Sequence, residues 1–336
     1  MACPTRWGIV SAGMISSDFV ASLKALPADE HRVVAVAARS LQSAKAFAAR
    51  HGIEKSYGSY SELASDPDID VVYVGAVQTK HLEVASQILQ SGKAVLCEKP
   101  LCMNVRETQK LLDVARENKV FLMEAIWSRF FPVYKELGRR IKAGEIGDVV
   151  QVIASFGRNL QHLQRLQTKE TGGGVTLDIA LYPIQLTSFV MGGERPLKIL
   201  AGGHLNVHEV DETISASLVY SKGRVASISA SMKVDLPSEA HIIGTKGTIK
   251  IPFPVWCPEH LEGPSGNFEA LLPKTGETFN YDNSQGLMYE AMEVRRCLKE
   301  GLLESPGVSH AESLTIATIM EAVRTQVGTV YPQDFQ

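Results

Sequence analysis

Short apolar runs alternate with helical patterns over the first 125 residues. The helical patterns cover about 16–26, 41–51, 81–91 and 104–118. The apolar runs, in which apolar and polar residues hardly alternate, are Trp7–Ser11, Val33–Ala38, Val71–Val77, Ala94–Cys97 and Val120–Glu124. Strands of that type belong to a parallel sheet that is covered on both faces. The order predicts an α/β fold with a doubly wound parallel sheet.

From about residue 149 the pattern changes to strict alternation. Serine alternates with Ala, Ile or Met over 224–232, Thr213–Tyr220 alternates in the same way, and Lys222-Gly223 between them predicts a hairpin turn. Further short strands are predicted at Lys198–Leu205, Ala240–Gly244 and Thr248–Ile251, and 252–278 is predicted to be mostly loop. The second half should form an α+β domain with a large, mainly antiparallel open sheet. We expect a nucleotide-binding domain at 1–125 and a substrate and dimerisation domain at 126–336.

Composition narrows the class of protein. The chain has 336 residues, 45% hydrophobic and 21% charged, which fits two ordinary globular domains. The net charge of −3 argues against nucleic acid and membrane surfaces as partners, because both are bound through a basic excess. The apolar runs are shorter than the roughly 20 residues of a membrane span, and Met1–Trp7 lacks a signal-peptide pattern. Five cysteines without a CxxC pair indicate reduced thiols and a cytoplasmic protein.

The segment between the first strand and the first helix is a candidate nucleotide turn. The three positions of a G-x-G-x-x-G pattern read Ser11, Gly13 and Ser16, so the pattern is degenerate. A glycine turn alone can serve a purely steric purpose. Its position at the start of a strand–helix series favours a dinucleotide site, with the pyrophosphate at the helix N-terminus. Ser11, Gly13, Met14 and Ile15 are therefore candidate cofactor-binding residues.

The end of the second strand indicates which nicotinamide cofactor binds. An NAD site has an acidic residue there for the ribose hydroxyls, but no carboxylate occurs between His31 and Gly52. Arg39 can instead bind a 2′-phosphate through its planar fork, and Ser40 adds a donor. The alternative is a solvent-exposed arginine without such a role. We predict NADP rather than NAD.

Two segments carry candidate catalytic groups. Glu98 and Lys99 follow the fourth strand, where ligands of an open parallel sheet bind. Asp178 and Tyr182 lie four residues apart and should share one face of a helix. A phenol with a pKa near 10 is a poor base at neutral pH, and a nearby ammonium lowers that pKa. Lys99 and Tyr182 could form such a pair, with Asp178 orienting the substrate or Lys99; alternatively, Tyr182 is a half-buried core residue.

These motifs together resemble the glucose–fructose oxidoreductase/inositol dehydrogenase family. They are the turn near Gly13, Glu98-Lys99-Pro100, Arg129-Phe-Phe-Pro132 and Gly173-Gly-x3-Asp178-x3-Tyr182, and the likeness covers nearly the whole chain. The resemblance implies that Tyr182 is the acid/base, assisted by Lys99 and supported by Asp178. It also implies that Arg39 holds the 2′-phosphate of NADP and that the chain forms a homodimer through its C-terminal sheet.

The resemblance further implies a set of residues around the reacting atoms. His81 and Lys99 should lie near the nicotinamide, and the other candidates on the cofactor side are Ala76, Glu98 and Arg129. The implied aromatic walls of the substrate pocket are Trp127, Phe156, Trp256 and Tyr281. His162, which follows the strand that carries Phe156, is a further candidate at the pocket mouth. Such walls suit a flat cyclohexadiene ring.

The implied reaction is NADP-dependent oxidation of trans-1,2-dihydrobenzene-1,2-diol to catechol, with D-xylose as a further substrate. Two departures stand out. The loop 76–81 reads Ala-Val-Gln-Thr-Lys-His, which changes the expected shape beside the nicotinamide, and Tyr281 stands where a close relative has Phe, which bears on the substrate. The alternatives are a sugar or polyol dehydrogenase and a non-catalytic NADPH-sensing protein. His204, His208 and Asp211 have metal-like spacing, but we interpret them as loop residues and expect no metal.

Overall fold

The computed structural model describes residues 3–335 and contains two compact units. Met1, Ala2 and Gln336 lie outside the described residues. They include the outer ends of the two predicted domains and the first two residues of Met1–Trp7, the segment that was searched for a signal peptide. The first unit comprises the described part of Met1–Cys102, Arg106–Phe130 and Leu272–His310. The second comprises Met103–Val105, Phe131–Leu271 and the described part of Ala311–Gln336. The domain boundary at residues 125 and 126 stays a prediction.

The first unit contains the parallel sheet that the apolar runs predict. Its strands are β1 (Thr5–Val10), β2 (His31–Ala37), β3 (Lys55–Tyr57), β4 (Val71–Val74), β5 (Ala94–Glu98) and β6 (Leu122–Ala125). They follow the order β3-β2-β1-β4-β5-β6, and each neighbouring pair is parallel. The chain order reverses between β1 and β4, and ligands of such sheets bind at the carboxyl ends of the strands at that point.

Nine α-helices occur in the described chain. They are α1 (Met14–Leu23), α2 (Leu41–His51), α3 (Tyr60–Ala64), α4 (His81–Gln90), α5 (Val105–Asn118), α6 (Pro132–Lys142), α7 (Leu181–Val190), α8 (Leu287–Lys299) and α9 (His310–Val327). The helices α1, α2, α4 and α5 lie close to the predicted positions, whereas α3, α6, α8 and α9 were not predicted from the sequence. The Ser40 hydroxyl caps α2 by accepting a hydrogen bond from the backbone of Ser43. None of the helices in the described chain is long and apolar enough to cross a membrane.

The second unit contains the mainly antiparallel sheet that the alternating segments predict. Its strands are β7 (Val149–Gly157), β8 (Lys198–Leu205), β9 (Asp211–Val219), β10 (Val225–Ser231), β11 (Ala240–Gly244) and β12 (Gly247–Ile251), in the order β12-β11-β7-β10-β9-β8. β7 and β10 are parallel, and the other neighbours are antiparallel. A separate small pair joins β13 (His260–Leu261) to β14 (Phe268–Glu269). Ala226, Ile228 and Ala230 are buried, so the predicted core face is confirmed.

The helix after the glycine turn of the second unit differs from the expectation. Residues Thr176–Ala180 form a π-helical segment, and the regular helix α7 begins only at Leu181. Asp178 therefore lies in the π-helical segment and Tyr182 at the start of α7. Single π-helical turns of this kind often occur at functional sites.

Candidate active site

The turn after β1 opens α1 without a side-chain cap. Ser11 has φ of 82°, a left-handed conformation more usual for glycine, and its amide donates to the carbonyl of Ala37. Gly13 is the N-cap residue of α1 in extended conformation (φ −82°, ψ 176°), and among the described residues no side chain caps the helix. The first amides of a helix have no acceptor inside the helix, so they are available to an anion.

The space around the turn fits a dinucleotide. A Cβ atom added at Gly13 would meet, among the described residues within 4 Å, the Ser11 Oγ at 3.5 Å and nothing else. The Ser16 hydroxyl, at the third position of the motif, is buried and has no hydrogen-bond partner in the described chain. An open turn, an uncapped helix and an unsatisfied donor together suit a pyrophosphate.

Arg39 and Ser40 follow β2, and both are exposed. The hydroxyl of Ser40 already accepts from the Ser43 amide at 3.1 Å and donates to the Ser43 Oγ at 2.9 Å. Arg39 carries a planar guanidinium, the type of group that pairs with a phosphate. Their contacts with a cofactor stay predictions.

His81 joins the loops that follow β4 and β5. Its Nε2 lies 2.9 Å from the Ala76 carbonyl oxygen, and its Nδ1 lies 2.9 Å from the Pro100 carbonyl oxygen. Burial lowers the pKa of the ring, and a neutral imidazole donates to only one of these carbonyls. The ring is thus fully engaged with main chain of its own unit, and its predicted position near the nicotinamide stays a prediction.

Glu98 fixes the start of the Lys99 segment. Its Oε1 accepts from the Tyr73 hydroxyl at 2.6 Å, and its Oε2 accepts from the Lys99 amide at 3.1 Å. Burial and the Glu98 charge raise the pKa of Tyr73 well above its usual value, so this phenol stays protonated and donates. Lys99 itself is half-buried.

The second unit brings three of the predicted aromatic residues together. Tyr182 is buried, with its ring centroid 5.5 Å from that of Phe156. Phe156 stacks on Trp256 with centroids 4.2 Å apart and an interplanar angle of 4°. The Arg158 guanidinium carbon lies 5.3 Å from the centroid of the Trp256 ring. The result is a cluster of largely buried aromatic rings next to a phenol.

Asp178 lies in the π-helical segment and contacts a residue that the sequence analysis missed. The Arg165 guanidinium donates to its Oδ1 at 3.2 Å. Arg165 is in a loop between β7 and the glycine turn, where no pattern in the sequence distinguishes it from other surface arginines.

Asp211 fixes the main chain that leads to Asp178. It is fully buried and accepts from the Thr176 amide at 2.7 Å and from the Thr329 hydroxyl at 3.1 Å. The interpretation of His204, His208 and Asp211 as loop residues is wrong for two of them, because His204 lies on β8 and Asp211 begins β9. The His204 Nδ1 lies 3.1 Å from the Glu212 Oε1. Residues 3–335 contain no group of three or more His, Cys, Asp or Glu side chains that could hold a metal ion, so His204, His208 and Asp211 do not form a ligand set.

The remaining predicted residues divide between the units. Trp127 and Arg129 are buried in a short 3-10 turn of the first unit, where Arg129 donates to the Gly307 carbonyl at 3.4 Å. Tyr281 is half-buried in the same unit, and His162 is exposed in the second. All five cysteines lie within the described residues, and none of them forms a disulfide. The pairing of Lys99 with Tyr182 stays a prediction.

Comparisons with known proteins agree with this architecture. A family model described as "Oxidoreductase family, NAD-binding Rossmann fold" matches residues 5–126, and one described as "GFO/IDH/MocA C-terminal domain" matches 134–250. Trans-1,2-dihydrobenzene-1,2-diol dehydrogenase of Xenopus tropicalis is 48% identical, covering 98% of this chain and 99% of the relative. The Homo sapiens protein of the same name is 44% identical, covering 98% of each chain.

The structure is also similar to solved enzymes. A 3-ketoreductase from Actinomadura kijaniata, solved with NADP and TDP-benzene, has a TM-score of 0.81 and 26% identity over 98% of this chain and 99% of its own. The fold and the uncapped nucleotide turn define a nicotinamide-dependent oxidoreductase. Within that class, the chain belongs to the glucose–fructose oxidoreductase/inositol dehydrogenase (GFO/IDH/MocA) family.

Proposed function

We propose that this enzyme oxidises trans-1,2-dihydrobenzene-1,2-diol to catechol with NADP⁺. The observation that carries the proposal is the stacked aromatic pair of Phe156 and Trp256 beside the Tyr182 phenol. A flat ring is bound by stacking rather than by many hydrogen bonds, and the phenol supplies the acid/base. The names of the relatives that match 98% of the chain support the same substrate.

In this proposal the residues divide the work of a hydride-transfer reaction. Tyr182 takes the proton of one diol hydroxyl, the Lys99 ammonium lowers the pKa of the phenol, and Asp178 orients the groups. A nicotinamide held at the turn before α1 would supply the acceptor for the hydride that leaves the carbon. The ketol that results tautomerises to catechol, so the diol and NADP⁺ yield catechol, NADPH and a proton. Aromatisation makes the overall reaction strongly favourable.

Replacing Tyr182 with Phe tests the catalytic assignment. We expect Tyr182→Phe to bind NADPH like the wild type but to lose turnover of the diol by about 10²-fold or more, because a positioned acid/base is worth that much. Binding is measured by NADPH fluorescence and turnover by NADP⁺ reduction. Near wild-type turnover would refute the assignment.

The preference for NADP rests on Arg39. It is exposed at the end of β2 in a segment without carboxylates, where it can bind a 2′-phosphate. Ser40 would add a donor only by turning its hydroxyl away from the Ser43 Oγ. Arg39→Ala should therefore move the ratio of the KM values for NADP⁺ and NAD⁺ toward NAD⁺. An unchanged ratio would show that the assignment is wrong.

D-xylose is a second candidate substrate, because the hydroxyl of Tyr281 adds a polar group to the predicted pocket wall. Side-by-side rates of NADP⁺ reduction with the dihydrodiol and D-xylose decide between the two. Cofactor binding without turnover on a panel of diols and aldoses would instead favour an NADPH-sensing protein.

The same proposal includes a homodimer formed through the sheet of the second unit. Ile153, Ser227, Ser217 and Leu200 form one row across β7, β10, β9 and β8, and Ile153 and Leu200 are exposed on the face opposite the core. Small serines between apolar residues allow close packing of a second copy. A monomer mass in sedimentation at micromolar concentration would contradict this. The cytoplasmic location stays a prediction.

A further inference from the structure

Asp18 is a buried carboxylate on α1, the helix that the nucleotide turn opens. Its exposure is 0%. It accepts from the backbone amide of Asn280 at 2.9 and 3.0 Å, from the backbone amide of Tyr281 at 3.0 Å, and from the Asn280 Nδ2 at 2.6 Å. A buried carboxylate is costly unless several donors satisfy it. These donors come from a segment 262 residues further along the chain.

The same segment also contacts the nucleotide turn itself. The Asn280 Nδ2 lies 3.3 Å from the carbonyl oxygen of Met14, the first residue of α1, to which it donates. Asn280 is thus bonded to both the first and the second turn of α1. Tyr281 follows directly, so the position of its ring depends on the position of this helix.

We propose that Asp18 is a positioning residue that couples occupancy of the nucleotide turn to the placement of Tyr281. A cofactor at the N-terminus of α1 restrains the helix, and Asp18 transmits that restraint to the amides of Asn280 and Tyr281. The effect on substrate binding rests on the proposed role of Tyr281 as a pocket wall. The coupling itself does not depend on which substrate the enzyme uses.

Amide hydrogen exchange tests the coupling without any substrate. In the wild type, NADPH should slow exchange of a peptide that contains residues 280 and 281. In Asp18→Asn, whose amide group presents donors to the Asn280 amide, exchange should be about tenfold faster and should not respond to NADPH. Asp29→Asn, on an exposed residue of the same unit, is the matched control for the charge and should behave like the wild type. Equal exchange in Asp18→Asn and the wild type would overturn the proposal.

Steady-state kinetics test the consequence for the substrate. Asp18→Asn should raise KM for the dihydrodiol about tenfold with little change in kcat, since misplaced contact residues weaken substrate positioning. Asn280→Ala removes the side-chain donor at an exposed position and should also raise KM for the dihydrodiol. This variant replaces Asp18→Asn in the experiment if Asp18→Asn does not fold. In a Tyr281→Ala background, Asp18→Asn should cause almost no further increase in KM for the dihydrodiol.

The outcomes separate this inference from the proposed function. Additive effects of Asp18→Asn and Tyr281→Ala on KM would overturn the inference even if the wild type oxidises the diol. A wild type that does not oxidise the diol would overturn the proposed substrate, and the exchange experiment alone would then decide on the coupling.

Discussion

Two of the glycine turns, at Gly13 and Gly174, open helical segments with candidate site residues, but their surroundings are opposite. At Gly13 in the first unit, an added Cβ would lie 3.5 Å from the Ser11 Oγ, an ordinary contact. At Gly174 in the second unit, an added Cβ would lie 2.5 Å from the Asp211 Oδ1 and 2.9 Å from the Tyr331 hydroxyl. Gly174 also has φ of 123°, whereas Gly13 has φ of −82°.

This difference separates two uses of glycine that look alike in a sequence. The turn at Gly13 leaves room beside an uncapped helix, which is what a ligand requires. The turn at Gly174 is filled by the protein's own buried groups, which hold the π-helical segment that carries Asp178. The first turn is open for binding, and the second is packed for positioning.

Among the substitutions that test this comparison, Gly174→Ala should have the largest effect on stability. The new methyl group would overlap Asp211 and force an L-residue into a conformation that favours glycine. We expect a loss of about 3 to 5 kcal/mol in the free energy of unfolding, measured by urea denaturation.

Gly192→Ala is the matched control for Gly174→Ala. Gly192 also has positive φ, 72°, but no described atom lies within 4 Å of an added Cβ. Its substitution should cost only about 1 kcal/mol, from backbone conformation alone. If the two variants were equally stable, the packed description of the second turn would be wrong.

The sequence predicted both turns but not the difference between them. The alternation of apolar runs and helical patterns predicted the parallel sheet, because the pattern of each strand can be recognised from a few consecutive residues. The packing at Gly174 depends on Asp211 and Tyr331, which are distant in sequence, and no local pattern indicates it. The same holds for Asp18, whose partners lie at the other end of the chain.

Other parts were missed for local reasons. β3 has three residues and α3 has five, too short for a periodic pattern to emerge. The N-terminus of α3 nevertheless has a readable signal, because Ser59 and Glu62 form a capping box. The π-helical segment has no such signal, and a regular helix was the natural expectation for it.

The two units should also differ in their response to acid. His31 of the first unit is buried and accepts from the Trp7 Nε1 at 3.2 Å, and burial with the charges of Arg295 and Lys299 lowers its pKa to about 4. Because the folded pKa lies below the unfolded value, the stability contribution of His31 is present above about pH 6.5 and is lost as pH falls toward 4. Between about pH 7.5 and pH 5 the loss should be about 2 kcal/mol.

His31→Gln isolates this contribution, since its amide oxygen can still accept from Trp7. The variant should lose less stability than the wild type over the same pH range in urea denaturation. The stability contribution of Asp211 in the second unit has the opposite pH dependence. Burial raises the pKa of Asp211, so its contribution to the free energy of unfolding is full at low pH and is lost as pH rises. Equal pH dependence of His31→Gln and the wild type would contradict the assignment to His31.

Gly13→Ala should have the smallest effect on stability and tests the open turn directly. Alanine adopts the backbone angles of Gly13 without strain, so the free energy of unfolding should stay unchanged or rise by up to about 1 kcal/mol. The methyl group would occupy space next to the free amides, and the Kd for NADPH, measured by fluorescence, should rise about tenfold. A variant that loses stability and keeps its NADPH affinity would show that the first turn, like the second, is packed for positioning.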